Sequence, residues 1–317
     1  MSYTNPVYNG YLADPFVLRV EDTYYAYGTA PGALDGRQFP VLQSRDLVNW
    51  ENKGYALAPL TGADDFWAPE VAHDNGMFYM YYSAHGIQGN DHQLRVAVSQ
   101  APLGPFEDAG RVLVPGEPFT IDAHPFRDVD GTWYLFYSRD FLTLDGDYRV
   151  GTGIVVDRMI DMHTLAGEPR TVIRPHADWH LFRLQRPMYN NIYDWYTIEG
   201  PALRLHNGHY YCFFSGGAWE RENYGISYVT AEHPLGPYHR LPEETSPLLR
   251  SVAGHVVGPG HNSFTDSPDG QHEYIVYHAW DTAMTARRMC VDRLRWEGEV
   301  PVVDGPTWTP QPMPDVS

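Results

Sequence analysis

Three carboxylates, an indole and an imidazole occupy comparable places along this chain: Asp14, Asp122 and Glu199, with Trp67 and His261. Carboxylates gathered in one pocket do acid–base work. Like charges at short range push pKa values apart, so one site can hold a protonated acid and an ionised base at the same pH. An indole beside them is a flat wall with few rotamers to freeze. Each residue also has a plainer reading. Most Asp-Pro pairs are capping or turn acids at strand ends, a Trp is often core, and a lone His is often only hydrogen-bonded. Glu70, three residues after Trp67, reads as structural.

What must position these residues is visible as a repeat. Asp14-Pro15-Phe16-Val17-Leu18 leads through Glu21-Asp22 to Tyr24-Tyr25-Ala26-Tyr27-Gly28. Trp67-Ala68-Pro69-Glu70-Val71 leads through Asn75-Gly76 to Phe78-Tyr79-Met80-Tyr81-Tyr82-Ser83. Asp122-Ala123-His124-Pro125-Phe126, Glu199-Gly200-Pro201-Ala202-Leu203 and His261-Asn262-Ser263-Phe264 open three more copies, which end in Ser138, Ser215 and His278. The openings are 56, 52, 77 and 62 residues apart, counted from Asp14 through Glu70, Asp122 and Glu199 to His261. Self-similarity near this period marks a propeller or solenoid. The expected architecture is all-β, a single five-bladed propeller over residues 1–317 with four-stranded antiparallel blades around a central channel. The innermost strands line that channel, and their first residues meet at one mouth.

A second repeat agrees with the first. Leu94-Arg95-Val96-Ala97-Val98-Ser99 alternates as a half-buried strand does and precedes Pro102-Leu103-Gly104-Pro105-Phe106. Ile226-Ser227-Tyr228-Val229-Thr230 precedes Pro234-Leu235-Gly236-Pro237-Tyr238. The long third interval predicts an insertion over 169–196, expected as a loop on the chemical face, where loops usually carry specificity. Residues 1–13 are expected to close the ring against the last blade, and the Pro-rich tail 306–314 to pack loosely over an edge.

Composition narrows the partners. The chain has 317 residues, 43% hydrophobic and 14% aromatic, with a formal charge of −18. Such a charge argues against nucleic acid or an anionic membrane, both of which need basic patches, and suits a small neutral ligand. Cys212 and Cys290 have no metal-type spacing and read as buried thiols. No run approaches the ~18 apolar residues of a membrane span. The first residues show no basic and apolar leader pattern, so the chain, taken as a whole gene product, is expected in the cytoplasm. A secreted chain trimmed of its leader would read the same.

The motifs Ala13-Asp14-Pro15-Phe16, Phe66-Trp67-Ala68-Pro69-Glu70, Ile121-Asp122-Ala123-His124-Pro125, Ile198-Glu199-Gly200-Pro201 and Gly260-His261-Asn262-Ser263 occur in one order across nearly the whole chain. Together they resemble glycoside hydrolase family 43, five-bladed propeller enzymes that cleave arabinofuranosyl and xylopyranosyl linkages. The resemblance implies an inverting exo-glycosidase with Asp14 as general base, Glu199 as general acid and Asp122 as the carboxylate that tunes and orients the acid. Inversion places the two reacting carboxyls ~6.5–9.5 Å apart, with room for a water. It also implies that Trp67, Ala68, Arg287 and His261 contact the sugar, Arg288 being the alternative because strand alternation turns only one of the two inward. His261 is further implied as the one protein ligand of a calcium otherwise held by water. A single imidazole is a poor calcium site, which prefers several oxygens, so a histidine without metal is the competing reading. No organic cofactor is implied.

The expected substrate is a terminal pentose on hemicellulose-derived oligosaccharides. α-L-Arabinofuranosidase comes first and β-D-xylosidase second. A carbohydrate-binding propeller without activity is the alternative from another class, and the presence of both Asp14 and Glu199 argues against it. A retaining fructan-type propeller would need Asn-Asp-Pro-Asn and Arg-Asp-Pro words that this sequence lacks. Oligomeric state is not legible.

Overall fold

In the computed structural model, residues 1–86, 91–241 and 247–314 are described. After a short β1 (Ser2–Tyr3), blade one comprises β2 (Ala13–Val20), β3 (Thr23–Thr29), β4 (Gln38–Ser44) and β5 (Glu51–Leu57). Blade two is β6 (Asp64–Asp74), β7 (Met77–His85), β8 (Gln93–Ser99) and β9 (Glu107–Val112). Blade three is β10 (Thr120–Arg127), β11 (Trp133–Phe141) and β12 (Gly151–Asp161), with β13 (Thr164–Leu165) and β14 (Arg170–Ile173) on its outer side. Then come β15 (Leu181–Met188) and blade four: β16 (Asn191–His206), β17 (His209–Gly216), β18 (Gly225–Ala231) and β19 (His239–Arg240). Blade five is β20 (Val257–Asp266), β21 (Glu273–Trp280), β22 (Arg287–Glu297) and β23 (Val300–Val303), followed by β24 (Gln311–Pro312). Strand pairing runs in chain order within every blade and is antiparallel.

The core is divided among the blade interfaces. Five buried clusters each draw on two neighbouring blades, exemplified by Tyr27 with Val71, Tyr81 with Leu135, Phe136 with Phe214, Phe213 with Tyr277, and Tyr24 with Val276. Five blades with five interfaces close a ring. The tyrosine-rich second strands make this possible, because both faces of each sheet must bury large rings against a neighbour. The repeated Leu-Gly-Pro words also fold alike. Gly104 and Gly236 sit at φ +80° and +77°, each before a cis proline, in the connection from third to fourth strand. Cys212 and Cys290 are free, buried thiols. Among the described residues no helix is long and apolar enough to cross a membrane.

Three segments depart from the expected picture. The insertion is not a loop. Its first part, β14, pairs with β12, and β15 forms a hairpin with the first half of β16. Tyr189 and Asn190, at φ +50° and +59°, make the two-residue turn, the geometry that matches strand twist in a hairpin. This hairpin joins blades three and four through a short parallel pairing of β12 with β16. A Cβ at Gly151 would lie 1.7 Å from the Tyr196 carbonyl oxygen, so only glycine fits there. The N-terminal segment does run along β22, with Val7 and Leu12 N–H donating to Met289 and Arg287 carbonyls, but its regular strand β1 pairs with β24. The tail is anchored, not loose: the Thr307 N–H and hydroxyl both donate to buried Asp292.

Candidate active site

Each innermost strand carries the same defect at its start. Asp14, Ala68, Asp122, Gly200 and His261 have φ of +50°, +47°, +57°, +59° and +49°. A register shift brackets each one, from the residue before it to the second residue after it. These are bulges, which bend a strand and re-aim its side chains. The left-handed conformation is uncommon for residues other than glycine and persists only where surroundings impose it. Here the neighbouring blade imposes it. Ala68 N–H donates to Thr29 Oγ1, Asp122 N–H to Ser83 Oγ, His261 N–H to Ser215 Oγ and Asp14 N–H to His278 Nδ1. The fourth blade breaks the pattern: Gly200 N–H donates to Asp122 Oδ2, and Ser138 Oγ, at the matching place, has no partner among the described residues.

The five bulges bring the chemistry together. Asp14, Trp67, Ile121, Asp122, Glu199, Trp219, His261 and Arg287 line one cavity of about 240 Å³. Asp14, Asp122 and His261 occupy the left-handed position of their bulges, whereas Glu199 and Trp67 sit one residue earlier. Arg287 Nη1 donates to Asp14 Oδ1 at 3.2 Å and Nε to the Tyr11 hydroxyl, with its guanidinium 4.4 Å from the Trp219 ring centroid. Arg288 turns away and pairs with Asp281, which decides between the two arginines. Trp67 is backed by His92, stacked at 3.4 Å. Ala68 does not line the cavity, and its contribution is the backbone of the bulge. Glu70 is structural, bonded to His124 Nδ1 at 2.7 Å, while His124 Nε2 accepts the Leu203 N–H.

The electrostatics separate the carboxyls. Burial is the largest single influence on Asp14 and would raise it, but the Arg287 guanidinium, His261, His278 and the Thr29 hydroxyl together outweigh it and hold the carboxyl well below its usual range. Both imidazoles are themselves pushed down by burial, so the arginine is the fixed charge. Burial pushes Glu199 up to about 7, with the Asp14 charge adding to it, while the Tyr224 hydroxyl at 2.8 Å from Oε1 and the charges of Arg287 and Arg186 oppose it. Asp122 is raised well above the carboxylate range by burial and by Glu199 and Asp14, against the Gly200 N–H. Near neutral pH the site therefore holds one ionised acid beside Arg287, a strongly raised Asp122, and a Glu199 that is about half protonated and more fully so as pH falls.

The family model for glycosyl hydrolases family 43 matches residues 3–301. The chain belongs to this family. It is 32% identical to a β-D-galactofuranosidase of Aspergillus niger over 92% of this chain and 81% of that protein. It is 26% identical to an extracellular exo-α-(1→5)-L-arabinofuranosidase of Streptomyces avermitilis, over 97% of this chain and 65% of that one. Among solved structures, a thermostable family-43 glycoside hydrolase superposes with a TM-score of 0.88 at 37% identity, covering 99% and 100% of the two chains. The protein is thus a glycoside hydrolase, and inversion is characteristic of its family.

Three residues of this family-43 site escape a reading of the sequence. Trp219 and Tyr224 lie on the connection between β17 and β18, whose residues are not repeated in the matching connections of the other blades. Trp219 forms a second aromatic wall and Tyr224 bonds Glu199. His278 did carry a signal, since it ends its aromatic strand where other blades place Thr29, Ser83, Ser138 and Ser215.

Proposed function

We propose that the protein is an inverting exo-glycosidase that removes single terminal sugars, in which Asp14 is the general base and Glu199 the general acid. The observation that carries this is an ionised Asp14 and a proton-holding Glu199 on one cavity too small for a drug-sized ligand. Trp67 and Trp219 offer flat faces to an apolar sugar face. Arg287 holds Asp14 ionised in the resting enzyme. Glu199 then gives its proton to the departing oxygen, Asp14 takes one from the attacking water, and exchange with solvent returns both carboxyls to their starting states. Asp122, through its acceptance of the Gly200 N–H, fixes the peptide that follows the acid.

The proposed substrate is a neutral oligosaccharide with a terminal α-L-arabinofuranose. The names of the relatives support a furanose, and β-D-galactofuranose repeats the ring stereochemistry of α-L-arabinofuranose with one more exocyclic carbon. β-D-Xylose is the second reading, favoured by a putative β-xylosidase of Xylanibacter ruminicola at 27% identity. Initial rates on aryl α-L-arabinofuranoside, β-D-galactofuranoside and β-D-xylopyranoside test this. A preference for the xylopyranoside overturns the furanose reading. NMR of the first-formed sugar tests inversion, and retention of the starting anomer excludes the mechanism.

Calcium at His261 is a proposal of the same kind. His261 lines the cavity beside Asp14, and the next residue, Asn262, is buried with neither side-chain amide atom bonded among the described residues. Among the described residues, three ligand-type side chains converge at Asp64, Asp65 and His85, not at His261. These residues fit a hydrated cation and not a directly caged one. Such an ion would supply fixed positive charge near the acids. Dialysis against chelator, with metal content and melting temperature measured, tests it. A metal-free protein with an unchanged rate and melting temperature excludes the ion. The cytoplasmic location likewise stands as a proposal, tested by fractionation.

A further inference from the structure

A second cleft, of about 540 Å³, opens between blade five and the anchored tail. Asn9, His255, Trp280, Asp281, Arg288 and Trp308 are among its lining residues. It is more than twice the size of the catalytic cavity, and no step of the proposed hydrolysis uses it. Its most prominent feature is Trp308, 39% exposed, whose indole lies flat on His255 at 4.5 Å and 10°. The platform is held in place because its neighbour Thr307 makes two hydrogen bonds to Asp292. An exposed, immobilised indole is chemistry for the C–H face of a sugar ring, which stacks there with little further loss of side-chain freedom.

The polar lining suits the same ligand. Arg288 pairs with Asp281 at 3.1 Å, so the cleft presents a planar donor and a planar acceptor with their charges mutually compensated. Asn9 adds an exposed amide. Paired planar groups of this kind bond vicinal hydroxyls, while a charged ligand would gain little from a neutralised pair in a protein of charge −18. Trp280 joins the cleft to the catalytic site. Its indole stacks on Trp219 at 5.9 Å and 16°, and its Nε1 donates to the Trp219 carbonyl. Trp219 in turn walls the catalytic cavity and carries Arg287.

We propose that this Trp308 cleft is a second saccharide-binding site, which holds a distal stretch of the neutral glycan whose terminal sugar enters the catalytic cavity. It rests on the reading of the substrate as an oligosaccharide, but not on which terminal sugar is removed. The test uses two variants of the full chain, Trp308→Ala to remove the platform and Thr282→Trp to fill the cleft from the exposed turn of blade five. Retardation in native gels cast with arabinan, arabinoxylan or galactan reads binding, and aryl glycoside hydrolysis reads the catalytic cavity. The expected result is that wild-type protein is retarded by at least one polysaccharide. Each variant should weaken that retardation roughly fivefold to tenfold, as loss of an aromatic stacking contact does, with aryl glycoside kinetics unchanged. Retardation unaltered in both variants overturns the proposal. So does an equal loss of aryl glycoside hydrolysis, which would make Trp308 a support for Trp280 and the catalytic wall. If all three aryl glycosides fail as substrates, the proposed specificity falls, while retardation still decides the cleft.

Discussion

Replacing Tyr224 by Phe removes one hydrogen bond and almost nothing else. The ring is fully buried, stacks on His278 at 5.8 Å and 12°, and packs where a Cβ on Gly260 would come within 2.0 Å of it. Phe keeps that shape. The lost bond runs from the Tyr224 hydroxyl to Glu199 Oε1 at 2.8 Å. A donor stabilises the carboxylate more than the carboxylic acid, so its removal must raise Glu199 further above about 7. A hydrogen bond to a charged group contributes ~1.5–3 kcal/mol, and one pKa unit corresponds to ~1.4 kcal/mol. The shift is therefore about 1 unit, and at most about 2 if no other donor takes the vacated place. The assay is the pH profile of kcat/KM, whose basic limb reports the acid in free enzyme. The limb should move upward by about 1 unit. The plateau below it should fall roughly threefold to tenfold on an oligosaccharide, because a weaker acid protonates a poor leaving group less well. It should fall little on an aryl glycoside whose leaving group needs no proton. A limb that stays in place or moves down, with equal losses on both substrates, would refute Glu199 as the acid that Tyr224 tunes.

Three further outcomes follow from the same geometry. Asp14→Asn and Glu199→Gln should each lower kcat on oligosaccharides by ~10²–10⁴-fold, but an activated aryl glycoside should partly spare Glu199→Gln and not Asp14→Asn; equal losses on both substrates reverse or exclude the roles. Glu199→Gln should also stabilise the fold with a definite pH dependence. Native Glu199 keeps its proton to about 7, whereas the unfolded chain releases it near 4.5. Stability is therefore lost as pH rises between those values, by an amount on the order of 3 kcal/mol. The variant's gain in melting temperature should be larger at pH 8 than at pH 4.5, and a gain independent of pH contradicts the raised pKa. Ser215→Ala strands the buried His261 N–H and should cost ~1–3 kcal/mol in denaturant unfolding. Ser138→Ala, whose buried hydroxyl has no partner among the described residues, should cost clearly less, because it leaves no donor stranded. Equal effects at the two serines would dismiss the blade-to-blade bond as the support of the bulge.

The fold was legible because its unit is local. A polar opening, a turn and a run of tyrosines recur at each blade, and the tyrosines are needed at every interface between sheets. The hairpin of the insertion was less legible. Its turn, Tyr189-Asn190, lacks the glycine that usually marks two-residue turns, and β15 mixes Leu, Arg, Gln and Pro without clean alternation. Asp14, Asp122, Glu199, Trp67, Arg287 and His261 could all be named from sequence motifs, and they do meet on one cavity. Their partners could not. Trp219 reaches the cavity and Tyr224 reaches Glu199 from a connection whose sequence no other blade repeats, and nothing local distinguishes their rings from the many others in the chain.

The register within the repeat is where sequence words mislead. Asp14-Pro15 and Glu199-Gly200-Pro201 look like equivalent openings, yet Asp14 sits on the left-handed residue of its bulge and Glu199 one residue before it. Gly200 is the mark of that difference, since glycine takes the left-handed place that Asp14 and Asp122 must be held in by their surroundings. The offset alone does not set the interblade bonds, since Trp67 also sits one residue early and Ala68 N–H still donates to Thr29. In blade four the amide that matches the others is the Gly200 N–H, and Asp122 accepts it in place of Ser138. A five-fold frame thus yields an unsymmetrical site through a one-residue choice, made at Trp67 in blade two and, for the acid, at Glu199 in blade four. That choice places a carboxyl beside Tyr224, away from a cation of its own, while Asp14 faces Arg287. One carboxyl retains its proton and the other cannot, and acid–base hydrolysis needs that difference.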